Sequence, residues 1–265
     1  MTQPNWNRKR ALLVFEMLPA VKGPLFWVAL ASLGLLVIPV RFIFVGEFSV
    51  NGQPLGQGLR LNYVLAVGYS SIVFLTTLFT LCLCLDRTGA HYLKNNDLLI
   101  LSRSLSRPIF YLAKIGSVLL PSIVYGSLAI LLFWEELYRI AGINLFRVFL
   151  LIFPLSLSMS CLVGLYFLIR NFMGNFMIFF LWLLFLPVIY FVNLWRHYGG
   201  ILRDGESHSS LMGFFPQFGG IHAYSLGLVG DWFIRGDSLF ALVNCTAWTV
   251  FALGAGLYFF SKRRL

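Results

Sequence analysis

The chain has 265 residues, 59% of them hydrophobic and 11% charged, and its 27 phenylalanines outnumber its 20 Lys and Arg. Soluble domains carry roughly 45–50% apolar and 25% charged residues, and disordered chains are less hydrophobic still. A mean hydropathy of +0.83 therefore excludes both and leaves a membrane protein, divisible into spans of about 20 residues. The net charge of +10 would point a soluble protein toward nucleic acid. On a membrane protein it fits cytoplasmic loops facing anionic lipid, and no nucleic acid partner is expected.

The first predicted element is an amphipathic helix over residues 8–22, RKRALLVFEMLPAVK. Leu12, Phe15 and Leu18 stand about one turn apart, with basic residues at both ends, as in a helix lying in the membrane interface. Pro19 and Gly23-Pro24 separate it from the first span.

Six apolar stretches then run near 24–45, 62–85, 111–133, 147–169, 175–194 and 239–260. Each is long enough to cross the hydrocarbon as a helix. Runs such as LLVIPV and FMIFFLWLLFLPVIYF lack the alternation of barrel strands. The fold class is therefore an all-α integral membrane protein with six transmembrane helices in a single domain, 1–265. The first span is too long for a signal peptide, and no small-residue cleavage site comes after it.

Orientation rests on Lys and Arg. With the N-terminus inside, the inner segments hold Arg8, Lys9, Arg10, Lys22, Arg87, Lys94, Arg103, Arg107, Lys114, Arg170, Lys262, Arg263 and Arg264. The outer ones hold Arg41, Arg60, Arg139, Arg147, Arg196, Arg203 and Arg235. The bias places both termini in the cytoplasm.

The inner loop 86–110, DRTGAHYLKNNDLLILSRSLSRPIF, is expected to hold a short helix. Asp97 caps it, and Leu98, Leu101 and Leu105 share one face. Pro108 suits the first turn of the next span. A leucine stripe on so small a loop builds no core of its own and must meet lipid or another protein. The outer segment 195–238 is polar in its first half and aromatic in its second, which Pro216 and Gly219-Gly220 break. Short re-entrant or interfacial helices fit it better than a full span.

The chemistry-bearing motifs are few. No GxxxxGK[ST] run occurs, so ATP has no P-loop here. His91, His197, His208 and His222 give no metal-ligand spacing, and Cys82, Cys84, Cys161 and Cys245 lie in apolar runs as buried small hydrophobes. Glu135-Glu136 with Arg139 reads EExxR, and Phe218 with His222 reads FxxxH. Both are similar to motifs of the CAAX-type intramembrane proteases, whose first motif is EExxxR, one residue longer. The span interiors are nearly free of charge, which speaks against a pump built on buried carboxylates. They suit a permease for apolar or amphipathic substrates.

The order of parts identifies a family resemblance. An amphipathic helix with Glu16 runs into GPLFWVALASLGLL. DRTG and LLILSRSLSRPIFYLAK come after the second span, and the chain ends in FFSKRRL. This resembles the ABC-2-type permeases, the membrane subunits of ATP-driven exporters. Leu98 to Leu101, Ser102-Arg103, Ser106-Arg107 and Lys114 fit that family's LLLSRPxSRxxxLxGK-like stretch. Here Pro108 comes after the second Ser-Arg pair, and Ala113 stands where Gly is common.

The resemblance implies six spans, a dimer with a second copy or a paralogous permease, and a bacterial inner-membrane location. It also implies a separate ATPase subunit that carries ATP and Mg, with no cofactor, metal or catalytic residue in this chain. The 86–110 loop would dock on that ATPase through Leu98, Leu101 and Leu105, oriented by Arg87, Asp97, Arg103 and Arg107. The 195–238 segment would line or close the exit, with Phe214, Phe215, Phe218 and Trp232 as candidates, and could meet an extracytoplasmic partner. Two other classes stand beside this one: an intramembrane protease-like enzyme using Glu135, Glu136 and His222, and a membrane assembly factor that transports nothing.

Overall fold

The computed structural model describes residues 21–45, 49–50, 53–54, 68–88, 107–142, 144–184, 215–229 and 237–262, with Val14 and Leu18 as isolated positions. In chain order these are helix α1 (Pro24–Val45), a two-residue strand pair β1 (Ser49–Val50) and β2 (Gln53–Pro54), then α2 (Ser70–Thr88), α3 (Arg107–Ala141), α4 (Leu145–Arg170), α5 (Asn175–Leu184), α6 (Phe218–Val229) and α7 (Asp237–Lys262). Among the described residues four helices, α2, α3, α4 and α7, are long and apolar enough to cross a membrane. α1 has 22 residues, and α5 covers the first part of the predicted fifth span.

The expected boundaries need correction at several points. The third helix is 35 residues long and extends past 111–133 at both ends. Nothing in FWEELYRIA breaks a helix before Gly142. That glycine ends α3 at a φ of 61°, with its N–H on Tyr138 O at 2.8 Å, the left-handed stop that glycine adopts without strain. Pro108 sits in the first turn, as expected. The loop 86–110 is correspondingly narrower, since residues 86–88 complete α2 and 107–110 begin α3. Glu135 and Arg139 thus stand on a helix rather than in an outer loop. The strand pair has no counterpart among the predicted elements. Val50 faces Gln53 and Ser49 faces Pro54, with Asn51-Gly52, the preferred two-residue hairpin dipeptide, between them in sequence.

Neighbouring contacts fix the helix directions. Thr76 and Phe79 of α2 meet Gly126 and Tyr125 of α3, the Phe79 and Tyr125 rings 4.7 Å apart, and an added Cβ at Gly68 would strike Phe133. α2 and α3 are therefore antiparallel. Tyr69 reaches Leu151 O, and Thr80 Oγ1 lies 3.3 Å from Met159 Sδ, so α2 and α4 run parallel. Gly164 faces Ala252, and Tyr111 touches both Phe167 and Phe260, so α7 runs with α4. Of the four long helices, α3 thus runs opposite to α2, α4 and α7. Thr88, Arg107, Arg170 and Lys262 gather at one end of the bundle, the loop end.

α4 is the central helix and packs against α2, α3, α6 and α7. Leu151, Leu155, Met159 and Tyr166 on it are fully buried. A Cβ added at Gly126 would lie 2.5 Å from Leu155 Cδ2, so the missing side chain is what lets α3 and α4 approach. Most buried hydroxyls bond within their own helix: Thr76 to Ile72 O, Thr80 to Thr76 O, Ser122 to Val118 O and Thr249 to Cys245 O. This removes their need for partners and leaves close packing as the main interhelical force, as expected where lipid is as apolar as the core. The outward faces are also apolar, with Leu120, Val124, Leu128 and Leu132 along α3 all exposed. Val14, Leu18 and Val21, on one face at helical spacing, are exposed as well. Residues 8–13, 15–17, 19 and 20 of the predicted 8–22 helix lie outside the described residues.

Candidate functional site

The loop end is built by helix termini. Arg87, Arg170 and Lys262 each stand in the last turn of their helix, where a cation complements the partial negative charge of unpaired carbonyls. Arg87 is only 4% exposed, with its Nε 3.3 Å from Asp86 Oδ2. Lys114 is equally buried, and its Nζ lies 5.3 Å from the Phe110 ring centre, within cation–π range. Arg107 Nη1 donates to Ser261 O of α7 at 3.2 Å, and the Asn175 amide donates to Thr88 O, tying α5 to α2. Phe110 and Tyr111 set their rings 6.3 and 5.1 Å from Phe260. Arg87, Arg107, Lys114, Arg170 and Lys262 thus gather at this end around the carboxylate of Asp86.

Of the predicted docking residues, Arg87 is buried in the bundle and Arg107 is engaged with α7. Asp97, Leu98, Leu101, Arg103 and Leu105 lie outside the described residues. Sequence reasoning does not single out Ser261 or Phe260. The basic tail beside them is the only signal for that position.

The second region is α6. Phe218 is buried, and its ring stands 6.5 Å from Trp182 of α5 at a steep angle. His222 is 2% exposed, and its Nδ1 lies 3.2 Å from the Tyr69 hydroxyl, which is also 3.4 Å from Leu151 O. Gln217, just before α6, donates its backbone N–H to Asn244 Oδ1 of α7 at 3.1 Å. Beneath His222 a cavity of about 20 Å³ is lined by Val73, Thr77, Ser158, Met159, Leu162 and Phe218, enough for one water. Ser158 and Met159 belong to the middle of α4, so α6 reaches the centre of the bundle.

The exit candidates divide. Phe218 is core and Phe215 is 56% exposed, while Phe214 and Trp232 lie outside the described residues. Glu135 is exposed and pairs with Arg139 four residues on, whereas His222 is buried against Tyr69. Those two groups of the protease-like motifs sit in different surroundings, and the Glu136 side chain is outside the described ones. Among the described residues no three His, Cys, Asp or Glu gather as metal ligands would. Tyr69 and Asn244, which hydrogen-bond to His222 and to the Gln217 N–H, carry no sequence motif. Compared with known proteins, the sequence matches no protein-family model and no curated protein.

Proposed function

We propose that this chain is the membrane subunit of an ATP-driven exporter of the ABC-2 permease type, working as a dimer with a separate ATPase. α1 and the helix begun by α5 would complete six crossings, with both termini in the cytoplasm of a bacterial cell and the loop end facing the cytosol. The single observation that carries the reading is the loop end itself. The segment that resembles the family's coupling stretch is flanked by α2 and α3, and its last residue pairs, Ser106-Arg107 and Pro108, lead into contacts with the final helix. A docked ATPase pulling on this loop would therefore act on three helices at once.

In this mechanism ATP closes two partner ATPases, the 86–110 loops move with them, and the bundle tilts to open a path. The ATPase supplies the free energy and the Mg-bound nucleotide, since the sequence has no P-loop. α6 would be a re-entrant element beside the exit. The buried His222–Tyr69 bond and the Gln217–Asn244 bond at its start support a part that moves as a unit rather than a mobile loop. An apolar bundle suits lipids, lipid-carried glycans, or hydrophobic drugs and peptides.

Affinity capture of the tagged full chain from its own membranes tests the proposal. It predicts a P-loop ATPase in near-equal amount, and capture without one would overturn it.

A further inference from the structure

α7 faces the bundle with small residues. Ala241, Cys245, Thr249, Ala252 and Gly256 succeed one another at steps of three or four and are all buried. Of its large side chains, Phe240, Val243, Phe251 and Phe259 are exposed, while Trp248, Leu253, Leu257 and Phe260 pack partly buried against the core, and α7 is the most exposed of the four long helices. Small residues on this face let α7 approach its neighbours closely. At the seam, a Cβ added to Gly164 of α4 would lie 3.3 Å from the Ala252 Cβ.

Hydrogen bonds and ring contacts tie this helix to its neighbours near its two ends. At the loop end Ser261 O accepts from Arg107 Nη1, and Phe260 is gripped by Phe110 and Tyr111. Toward the other end Asn244 Oδ1 accepts the Gln217 N–H, which leads into α6. The two links stand about 25 Å apart along a helix that rises about 1.5 Å per residue. α4 also touches α6, but neither of these two hydrogen bonds involves it.

We propose that α7 is a transmission rod, carrying displacement at the start of α3 to the start of α6. Its purpose rests on the permease reading, since that reading makes the first place an input and the second an output. Its mechanics do not. Arg107 is then a positioning residue that works through α7, in addition to any docking role of the loop.

The test uses the full chain in proteoliposomes with Phe215→Cys as a reporter, two residues before Gln217. The probe is a water-soluble maleimide, and the parent chain with its four native cysteines gives the background. Arg107→Ala is expected to raise the labelling rate at 215 by about three- to tenfold, the range that losing one hydrogen bond allows. Asn244→Ala is expected to do the same, and Arg139→Ala to change nothing. Should Arg107→Ala fail to accumulate, Phe260→Ala cuts the same end and must give the same rise. A rise with Asn244→Ala alone, or with Arg107→Ala alone, overturns the rod. No ATPase is needed, so a flat response sinks the rod and leaves the exporter standing, while capture without an ATPase does the reverse.

Discussion

Tyr69 and His222, 153 positions apart in the chain, share a 3.2 Å hydrogen bond in the buried interior of the bundle. Their rings meet at a steep angle with centres 5.6 Å apart. This contact is the polar tie between α6 and the end of α2. Interhelical hydrogen bonds in membranes average about 0.6 and reach about 1.7 kcal/mol. Tyr69→Phe is therefore expected to destabilise the detergent-solubilised protein by an amount in that range. His222→Phe should add little on top of it. A double-mutant cycle on unfolding reads the coupling, and fully additive effects would show that the two residues act separately.

At Gly256 α7 comes close to α3, since a Cβ there would collide with the Tyr111 hydroxyl. Gly256→Ala should cost about 1–3 kcal/mol, the usual range for overpacking. Tyr111→Phe removes the colliding oxygen and should restore part of that loss. Thermal unfolding of the two single variants and the pair measures it. A pair no better than Gly256→Ala alone would place the strain elsewhere.

The broad architecture is legible because hydrophobicity in a membrane chain is a direct physical signal. The starts and stops of α4 and α7 fall within two residues of the predicted spans, 145–170 against 147–169 and 237–262 against 239–260. The overrun of α3 through Glu135 and Arg139 is not legible, since charged residues end a hydropathy window without ending a helix. The Glu135–Arg139 pair near the end of that helix is an ordinary helical ion pair. The half of 195–238 around His222 is expected to form short helices, and α6 is one. That Gly219 and Gly220 are buried within it is not legible, because it depends on packing against α4. The partner of Arg107 is equally hidden. Its link to Ser261 spans most of the chain length and depends on α7 running parallel to α4, which no local pattern records.

Leu101→Asp places a charge in the predicted docking stripe. The variant should insert and accumulate like the parent. Its captured ATPase should fall about tenfold or more, as when an anchor of an apolar contact is replaced. Quantitative capture checks this, and undiminished ATPase would remove the leucine stripe from the docking surface.

Phe218→Ala empties the space beside Trp182 and the small cavity under His222. A buried phenylalanine truncated to alanine costs about 3–5 kcal/mol. Thermal stability should fall while ATPase capture stays unchanged, because α6 stands away from the loop end. Loss of capture at normal stability would mean that α6 belongs to the docking machinery.

The central claim is that the chain is driven from outside itself. It is tested most directly by fluorescent short-chain phospholipid in proteoliposomes, carrying either this chain alone or the chain with its captured ATPase. Movement of the label should require the ATPase, Mg and ATP together, and the chain alone should match empty vesicles. Turnover by the chain alone, with no nucleotide present, would contradict the claim.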